Sequence, residues 1–439
     1  MTSSFPNSSE AISIVSVWRL HGPEAALFAL RNVLSDLQAS GRKPGLLLLE
    51  LQSRLERRRG PRLLIDGLWF CRPHGGITRV WEQILSTWQL PGLLSETAPV
   101  AIINRDSRLA LSASYPSFQG STIDPLDYQS VLSIAAENQK FIEYWNADVF
   151  CSSWISSSAP SAPSCSELAL VHDCLPERSK VSSSYLRKTR RRWLTGASAY
   201  LAVSAATADD LSQLLAPPVD SIAWCHLAPA PIFAEMAADK GADQLWCRLK
   251  HQSFLNKPFI LLPATSAIGS YKNPELLAAA LAAHSLSAIS LVLCGLSADQ
   301  CSAELTQSFP HLDKRIYSAG FLDHELALVY RYALAVVIPS RIEGFGLPAI
   351  EVMASGGLPL LADSRGLREA GAEAALRFPI DQPCVLSSFL ELVAEPRSRA
   401  WLQKCLAART QRRLARLHPD LIGLALLAQA RRCQRDDLF

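Results

Sequence analysis

The segment SRIEGFGLPAIE (residues 340–351) brings glycines, a proline and two carboxylates together directly after the apolar run LAVVIP (334–339). Pro348 fits the first turn of a helix, where a missing N–H costs nothing. Gly344, Phe345 and Gly346 then fall in the turn that enters that helix. Amides in such a turn, aligned with the helix dipole, suit a diphosphate, and glycines let a ligand come close to the backbone. Glu343 precedes the turn and Glu351 lies inside the helix. Carboxylates repel phosphate, so their natural partners are hydroxyls, as on a sugar and a ribose. The residues alone leave a second reading open, a Gly-Pro turn into a surface helix with two solvated glutamates.

Elements of one kind position this segment. Short apolar runs alternate with amphipathic stretches in two series. The first series is RLLID (62–66), PVAII (99–103), DVFC (core 149–151), ELALVH (167–172), AYLAVS (199–204) and SIAWC (221–225). The second is FILLP (259–263), ISLVLC (289–294), RIYSAG (315–320), LAVVIP (334–339) and LPLLA (358–362). Near-continuous apolar strands separated by helices indicate parallel sheets covered on both faces. The expected fold is therefore α/β, with two Rossmann-like doubly wound domains facing a cleft. In such sheets ligands lie at the carboxyl ends of strands. Residues 1–59 read as a helical extension, 60–226 as the first domain, 227–415 as the second, and 416–439 as a terminal amphipathic helix.

Composition bounds the function. At roughly 150 residues per domain, 439 residues give two or three domains. A hydrophobic content of 49% against 19% charged excludes disorder as the main theme. Lys+Arg 43 against Asp+Glu 40 leaves +3, too balanced for a dedicated nucleic-acid binder. No apolar run approaches the roughly 18 residues of a membrane span, and the N-terminus MTSSFPNSSE lacks the pattern of a signal peptide. A cytoplasmic protein is expected, with peripheral contact at the inner face of a membrane left open. The eleven cysteines are scattered singly without metal-binding spacing and read as reduced packing residues. No GxGxxG follows a strand candidate, which disfavours a nicotinamide-dependent dehydrogenase.

The block GFLDHELALVYRYALAVVIPSRIEGFGLPAIEVMASGGLPLLADSRGLREAGAEAALRFPIDQP, beginning at Gly320, resembles the donor-binding half of glycosyltransferase family 4, whose fold is GT-B; the resemblance implies that the terminal helix 416–439 crosses back to pack on the first domain. Glu343 and Glu351 match that family's pair of glutamates; the resemblance implies that the first faces the donor sugar and the second binds the nucleotide ribose. It also implies that the amides at Phe345, Gly346 and Leu347 hold the sugar and phosphates. In the first domain RLLIDGLWFCRPHGGITRVWEQIL resembles the family's opening strand, loop and helix start, so Gly75 and Gly76 are expected to offer amides to the diphosphate. NADVFCSSW and ELALVHDCLPE resemble a strand pair of the mannosyltransferase-like branch, and His172 matches a histidine held to contact the transferred sugar. Asp173 either orients it or caps the next element. In AYLAVSAATADDLSQLL, Ser204 or Thr207 is expected to cap a helix.

FILLPATSAIGSYKNPELLAAAL resembles the first strand, loop and helix of the second domain, and Lys272 matches the family's diphosphate lysine. The usual arginine has no counterpart there. The basic run 187–192 reads as a solvated helix face, with steering of an anionic acceptor as the other reading.

The resemblance implies a retaining, metal-independent glycosyltransferase with catalytic Glu343, His172 and Lys272. It needs no cofactor beyond a nucleotide-diphosphate sugar as co-substrate, GDP-mannose being the first expectation, and its acceptor is a glycan or lipid-linked glycan. No Asp-x-Asp metal motif is present. A scaffold that kept the fold without turnover, or an enzyme acting on the nucleotide sugar without a glycan acceptor, are the alternatives. Oligomeric state and the role of residues 1–59 are not readable.

Overall fold

The computed structural model describes residues 3–72, 75–159, 165–178, 183–217 and 221–435. The chain forms two compact units: Met1–Leu227 together with His418–Phe439, and Ala228–Leu417.

The first unit carries eight strands: β1 Ser3–Ser4, β2 Leu63–Asp66, β3 Val100–Asn104, β4 Ser117–Gln119, β5 Val149–Ser152, β6 Ser166–Val171, β7 Ala199–Ala202 and β8 Ile222–Trp224. They lie in the order β1-β8-β7-β6-β5-β2-β3-β4. The second unit carries β9 Phe259–Leu262, β10 Ser290–Cys294, β11 Ile316–Ala319, β12 Ala335–Ile338, β13 Pro359–Ala362 and β14 Leu376–Phe378, ordered β11-β10-β9-β12-β13-β14. Every pairing between these strands is parallel. The central strands are buried along their whole length, as the apolar runs require of sheets covered on both faces.

Each sheet reverses its winding once. From β9 the chain adds β10 and β11 on one side, then crosses to add β12, β13 and β14 on the other. In the first unit the reversal falls between β2 and β5. At such a reversal neighbouring loops diverge and leave a crevice at the strand ends.

Residues 1–59 belong to the first unit. The helix Ser8–Ala39 bends at Gly22, where φ is 84°, followed by Pro23. The helix Leu46–Leu55 buries Glu50 and Arg54 as a pair at 2.7 Å, and Arg431 closes on Glu50 from the C-terminal helix.

That C-terminal helix, Asp420–Arg435, differs from the amphipathic segment expected from sequence. It is buried on every side from Asp420 to Ala430. Trp88 Nε1 donates to the Gly423 carbonyl at 2.9 Å, and Gln429 Nε2 donates to the Tyr200 carbonyl at 3.0 Å. Asp420, 1% exposed, accepts from Thr87 Oγ1 at 2.9 Å and from Arg19 Nε at 2.7 Å. A helix apolar all round is the pattern of a central element. Among the described residues no helix is long and apolar enough to cross a membrane.

Candidate active site

In the second unit Lys272 lies in the loop after β9, and Glu343 in the loop after the neighbouring β12, so the two flank the winding reversal. Lys272 Nζ donates to Glu343 Oε1 at 2.7 Å, with the side chains 14% and 12% exposed. The ammonium also sits 5.1 Å from the centre of the Tyr271 ring. The sequence reading gave the lysine to a diphosphate and the glutamate to a sugar separately; the fold brings them into direct contact.

The turn after Glu343 has the form its residues predict. Gly346, at φ 113°, is the N-cap of the helix Leu347–Ala354, and Pro348 lies in the first turn. Phe345 is buried at 2% exposure beneath the Arg413 guanidinium, 5.9 Å from its ring centre, so its side chain anchors the loop while its backbone shapes the turn. Leu347 is likewise buried. The following helix, Arg365–Gly371, packs tightly against the loop. A Cβ on Gly366 would lie 2.3 Å from the Glu343 carbonyl oxygen, and one on Gly346 would lie 2.7 Å from Leu367 Cδ2. Gly366→Ala must therefore displace the Glu343 backbone. We expect it to weaken nucleotide binding at least about 10-fold, since a shift near 1 Å in a positioned group costs up to about 10²-fold. Calorimetric titration of the variant checks this.

Glu351 is not the solvated carboxylate of the second reading. It is fully buried and accepts from the Tyr330 hydroxyl at 3.5 Å. A ribose hydroxyl reaches it only if surrounding side chains move.

Several neighbours of the pair escaped the sequence reading. Asn273, Arg341 and Asp381 form a polar junction beside Lys272. Ser340 and Ser364, just past β12 and β13, each carry a buried hydroxyl without a hydrogen-bond partner among the described residues. Their position just past the carboxyl end of an apolar run was the available signal.

In the first unit Gly75 is the N-cap of the helix Gly76–Trp88, in extended conformation, and its carbonyl accepts from Arg79 N at 2.9 Å. The loop from β2 is held against the loop from β5: Trp69 N donates to Ser153 Oγ at 2.9 Å, and Trp81 Nε1 to the Ser153 carbonyl at 3.1 Å. Beneath lies a charge network that the sequence did not announce. Arg105 and Asp66, both with no exposed side-chain surface, pair at 2.6 Å. Arg105 also reaches Glu137 Oε2 and Asn138 Oδ1, each at 2.6 Å, and the Ser156 hydroxyl donates to Asp66.

His172 follows β6 and is half-buried, with Nε2 enclosed and without a hydrogen-bond partner among the described residues. Burial, reinforced by the Arg190 charge, lowers its pKa to about 4, so the imidazole is neutral near pH 7. The unfolded chain takes up this proton near pH 6.5 and the folded chain only near pH 4. Between those values the unfolded state binds more protons, so stability falls as pH drops through the window. His172→Gln is expected to flatten the thermal midpoint against pH between about 6.5 and 4; an unchanged slope would show that this imidazole is not the group responsible.

Asp173 caps the next element, its Oδ1 accepting from Leu175 N at 3.0 Å. Ser204 caps the helix Ala205–Leu215 by accepting from Thr207 N. The basic run 187–192 is not one solvated face. Arg187, Lys188 and Arg191 are exposed, whereas Arg190 is buried, paired with Glu177 at 2.5 Å and donating to the Asp173 carbonyl at 2.8 Å. Among the described residues no group of three or more His, Cys, Asp or Glu side chains gathers to hold a metal.

Residues 248–386 match the family described as Glycosyl transferases group 1. No curated protein sequence matches the chain. Among solved structures, Anabaena HepE in complex with UDP and glucose superposes with a TM-score of 0.58 at 14% identity, covering 83% of this chain and 97% of that one. WaaG, a glycosyltransferase involved in lipopolysaccharide biosynthesis, gives 0.61 at 13% identity, covering 80% and 95%. A glycosyltransferase from Rickettsia africae gives 0.57 at 16% identity, covering 87% and 97%. At these identities the likeness is one of fold, and that fold is GT-B. The family match over the second unit, set on this fold, supports a group 1 glycosyltransferase.

Proposed function

We propose that the chain transfers a hexose from a nucleotide-diphosphate donor to a hydroxyl of a glycan or lipid-linked glycan, with retention at the anomeric carbon and without a metal ion. The observation that carries this reading is the Lys272–Glu343 pair at the winding reversal, beside a glycine turn entering a helix. Lys272, with the amides at Phe345, Gly346 and Leu347 and the dipole of the helix behind them, supplies positive potential for a departing diphosphate. Glu343 accepts from sugar hydroxyls. The contact between the two suits a ligand that presents phosphate and hydroxyl groups side by side.

His172, neutral and with an unused nitrogen, is a hydrogen-bonding partner for a hydroxyl of the transferred sugar. Gly75 and Gly76 open a helix long enough for its first amides and dipole to favour an anion. Glu351 serves the ribose once the side chains over it have moved.

Resemblance to the mannosyltransferase-like branch favours GDP-mannose as donor. UDP-glucose is the second reading, favoured by the UDP and UDP-glucose held in Anabaena HepE. The involvement of WaaG in lipopolysaccharide biosynthesis supports a glycan or lipid-linked acceptor, reached by peripheral contact at the inner face of a membrane.

Incubation of the purified protein with GDP-mannose and with UDP-glucose, following nucleoside diphosphate release by chromatography, tests the proposal. Release from one donor that accelerates with added lipid-linked glycan and vanishes in Glu343→Ala supports transfer. Intact donors under all conditions would favour a scaffold that kept the fold. Release that no acceptor accelerates would favour an enzyme acting on the nucleotide sugar alone.

A further inference from the structure

Lys272 and Glu343 are far apart in sequence, and each sits on a loop. Their contact at 2.7 Å depends on whatever holds the two loops in register. Both chain neighbours of Lys272 are tied to the segment that leads into Glu343. On one side the Tyr271 carbonyl accepts from Arg341 N at 2.8 Å. On the other, Asn273 Nδ2 donates to the Pro339 carbonyl at 3.3 Å, and Asn273 Oδ1 accepts from Arg341 Nη2 at 3.0 Å. The same amide nitrogen donates to the Ile380 carbonyl at 3.2 Å, just beyond β14, and Arg341 pairs in turn with Asp381.

Asn273 is fully buried. An amide side chain has two N–H donors and a carbonyl acceptor, and here the donors and the acceptor are all engaged. Its backbone is left-handed, φ 54° and ψ 46°, a conformation that asparagine and glycine adopt more readily than other residues. Asparagine therefore meets a double demand: glycine satisfies the turn but makes no side-chain bonds, and most other residues strain the turn.

We infer that Asn273 is a positioning residue, a buried three-way clamp joining the chain ends past β9, β12 and β14 that fixes Lys272 against Glu343 for a diphosphate ligand. The inference rests on the donor-site reading above. It separates the backbone turn from the side-chain clamp, because Asn273→Gly keeps the first and removes the second. Asn273→Asp keeps the shape and the acceptor for Arg341 but turns the donating end into a carboxylate oxygen facing the Pro339 and Ile380 carbonyls.

The experiment is calorimetric titration of the full chain with UDP, GDP and ADP and with the matching monophosphates. Wild type, Asn273→Gly, Asn273→Asp, Lys272→Met and the Asn273→Gly/Lys272→Met double variant are compared, each with its thermal midpoint. A clamp acting through Lys272 predicts that both Asn273 variants lose about 10- to 100-fold in diphosphate affinity while monophosphate affinity stays within about 3-fold. It also predicts that the double variant is no worse than Lys272→Met, since residues acting through one another are not additive. Equal weakening of diphosphate and monophosphate, full additivity, or unchanged diphosphate affinity in folded variants would overturn it. Failure of the wild type to bind any of the three diphosphates would instead sink the donor-site reading on which the inference stands.

Discussion

Lys272→Met is expected to lower kcat/KM for sugar transfer by about 10²- to 10³-fold, the usual effect of removing one positioned charge from developing negative charge. Methionine keeps an unbranched apolar stem beside Tyr271, so packing is retained and the ammonium alone is lost. The same change leaves the largely enclosed Glu343 carboxylate without this cation, 12% exposed. Glu343→Gln provides the contrast. It removes the charge that fixes the lysine and is expected to affect the sugar more than the diphosphate, lowering kcat with a smaller change in nucleoside diphosphate affinity. Steady-state kinetics with whichever of GDP-mannose and UDP-glucose the protein turns over check both variants. A Lys272→Met enzyme within about 3-fold of wild type would mean that the leaving group sits elsewhere, because loss of a preorganised charge at a leaving group is not that mild.

Arg105→Met is expected to destabilise the first unit by about 3–5 kcal/mol, because it strands Asp66 as a buried, uncompensated charge. In a unit of this size that corresponds to a fall of about 10 °C in thermal midpoint. Asp66 and Arg105 have no exposed side-chain surface, and Glu137, Asn138 and Ser156 complete the network. An Asp66→Asn/Arg105→Met double variant is expected to lose less than the sum of the single changes, since it removes the fully buried charge that Arg105→Met strands and leaves only Glu137, which is 27% exposed and also bonded by Ser121. Differential scanning calorimetry distinguishes these outcomes. A single variant within about 1 kcal/mol of wild type would show that water reaches the network, contrary to the burial that sets its expected cost. The network underlies the strand ends from which the Gly75–Gly76 turn departs, so its loss is also expected to weaken donor binding.

The central strands were legible because a doubly covered parallel strand must be a continuous apolar run, and ELALVH or LAVVIP can hardly be anything else. The short edge strands β4 and β14 were not legible: SFQ and LRF are half-exposed and carry no such run. The glycine turn and its helix start were readable from Gly346 and Pro348, since their backbone demands are local. The contact between Lys272 and Glu343 was not, because it follows from β9 and β12 lying side by side, and strand order is not written in the runs. Asp66 and Arg105 escaped for the same reason, each reading alone as a polar residue at a strand end. The burial of Glu351 was legible only in part: LPAIEVMA is apolar around the carboxylate, but the packing that encloses it is tertiary. The terminal helix was recognised as helical, but the apolar stretch LIGLALLA already signalled burial on all sides.

Calorimetric titration of the wild-type chain and of Lys272→Met with GDP, UDP and ADP, in buffer freed of divalent cations, tests the central claim most directly. The account predicts one nucleotide bound at one site per chain without metal, and at least about 10-fold more weakly by Lys272→Met. Absence of binding by the wild type, or equal affinity in the variant, would contradict it.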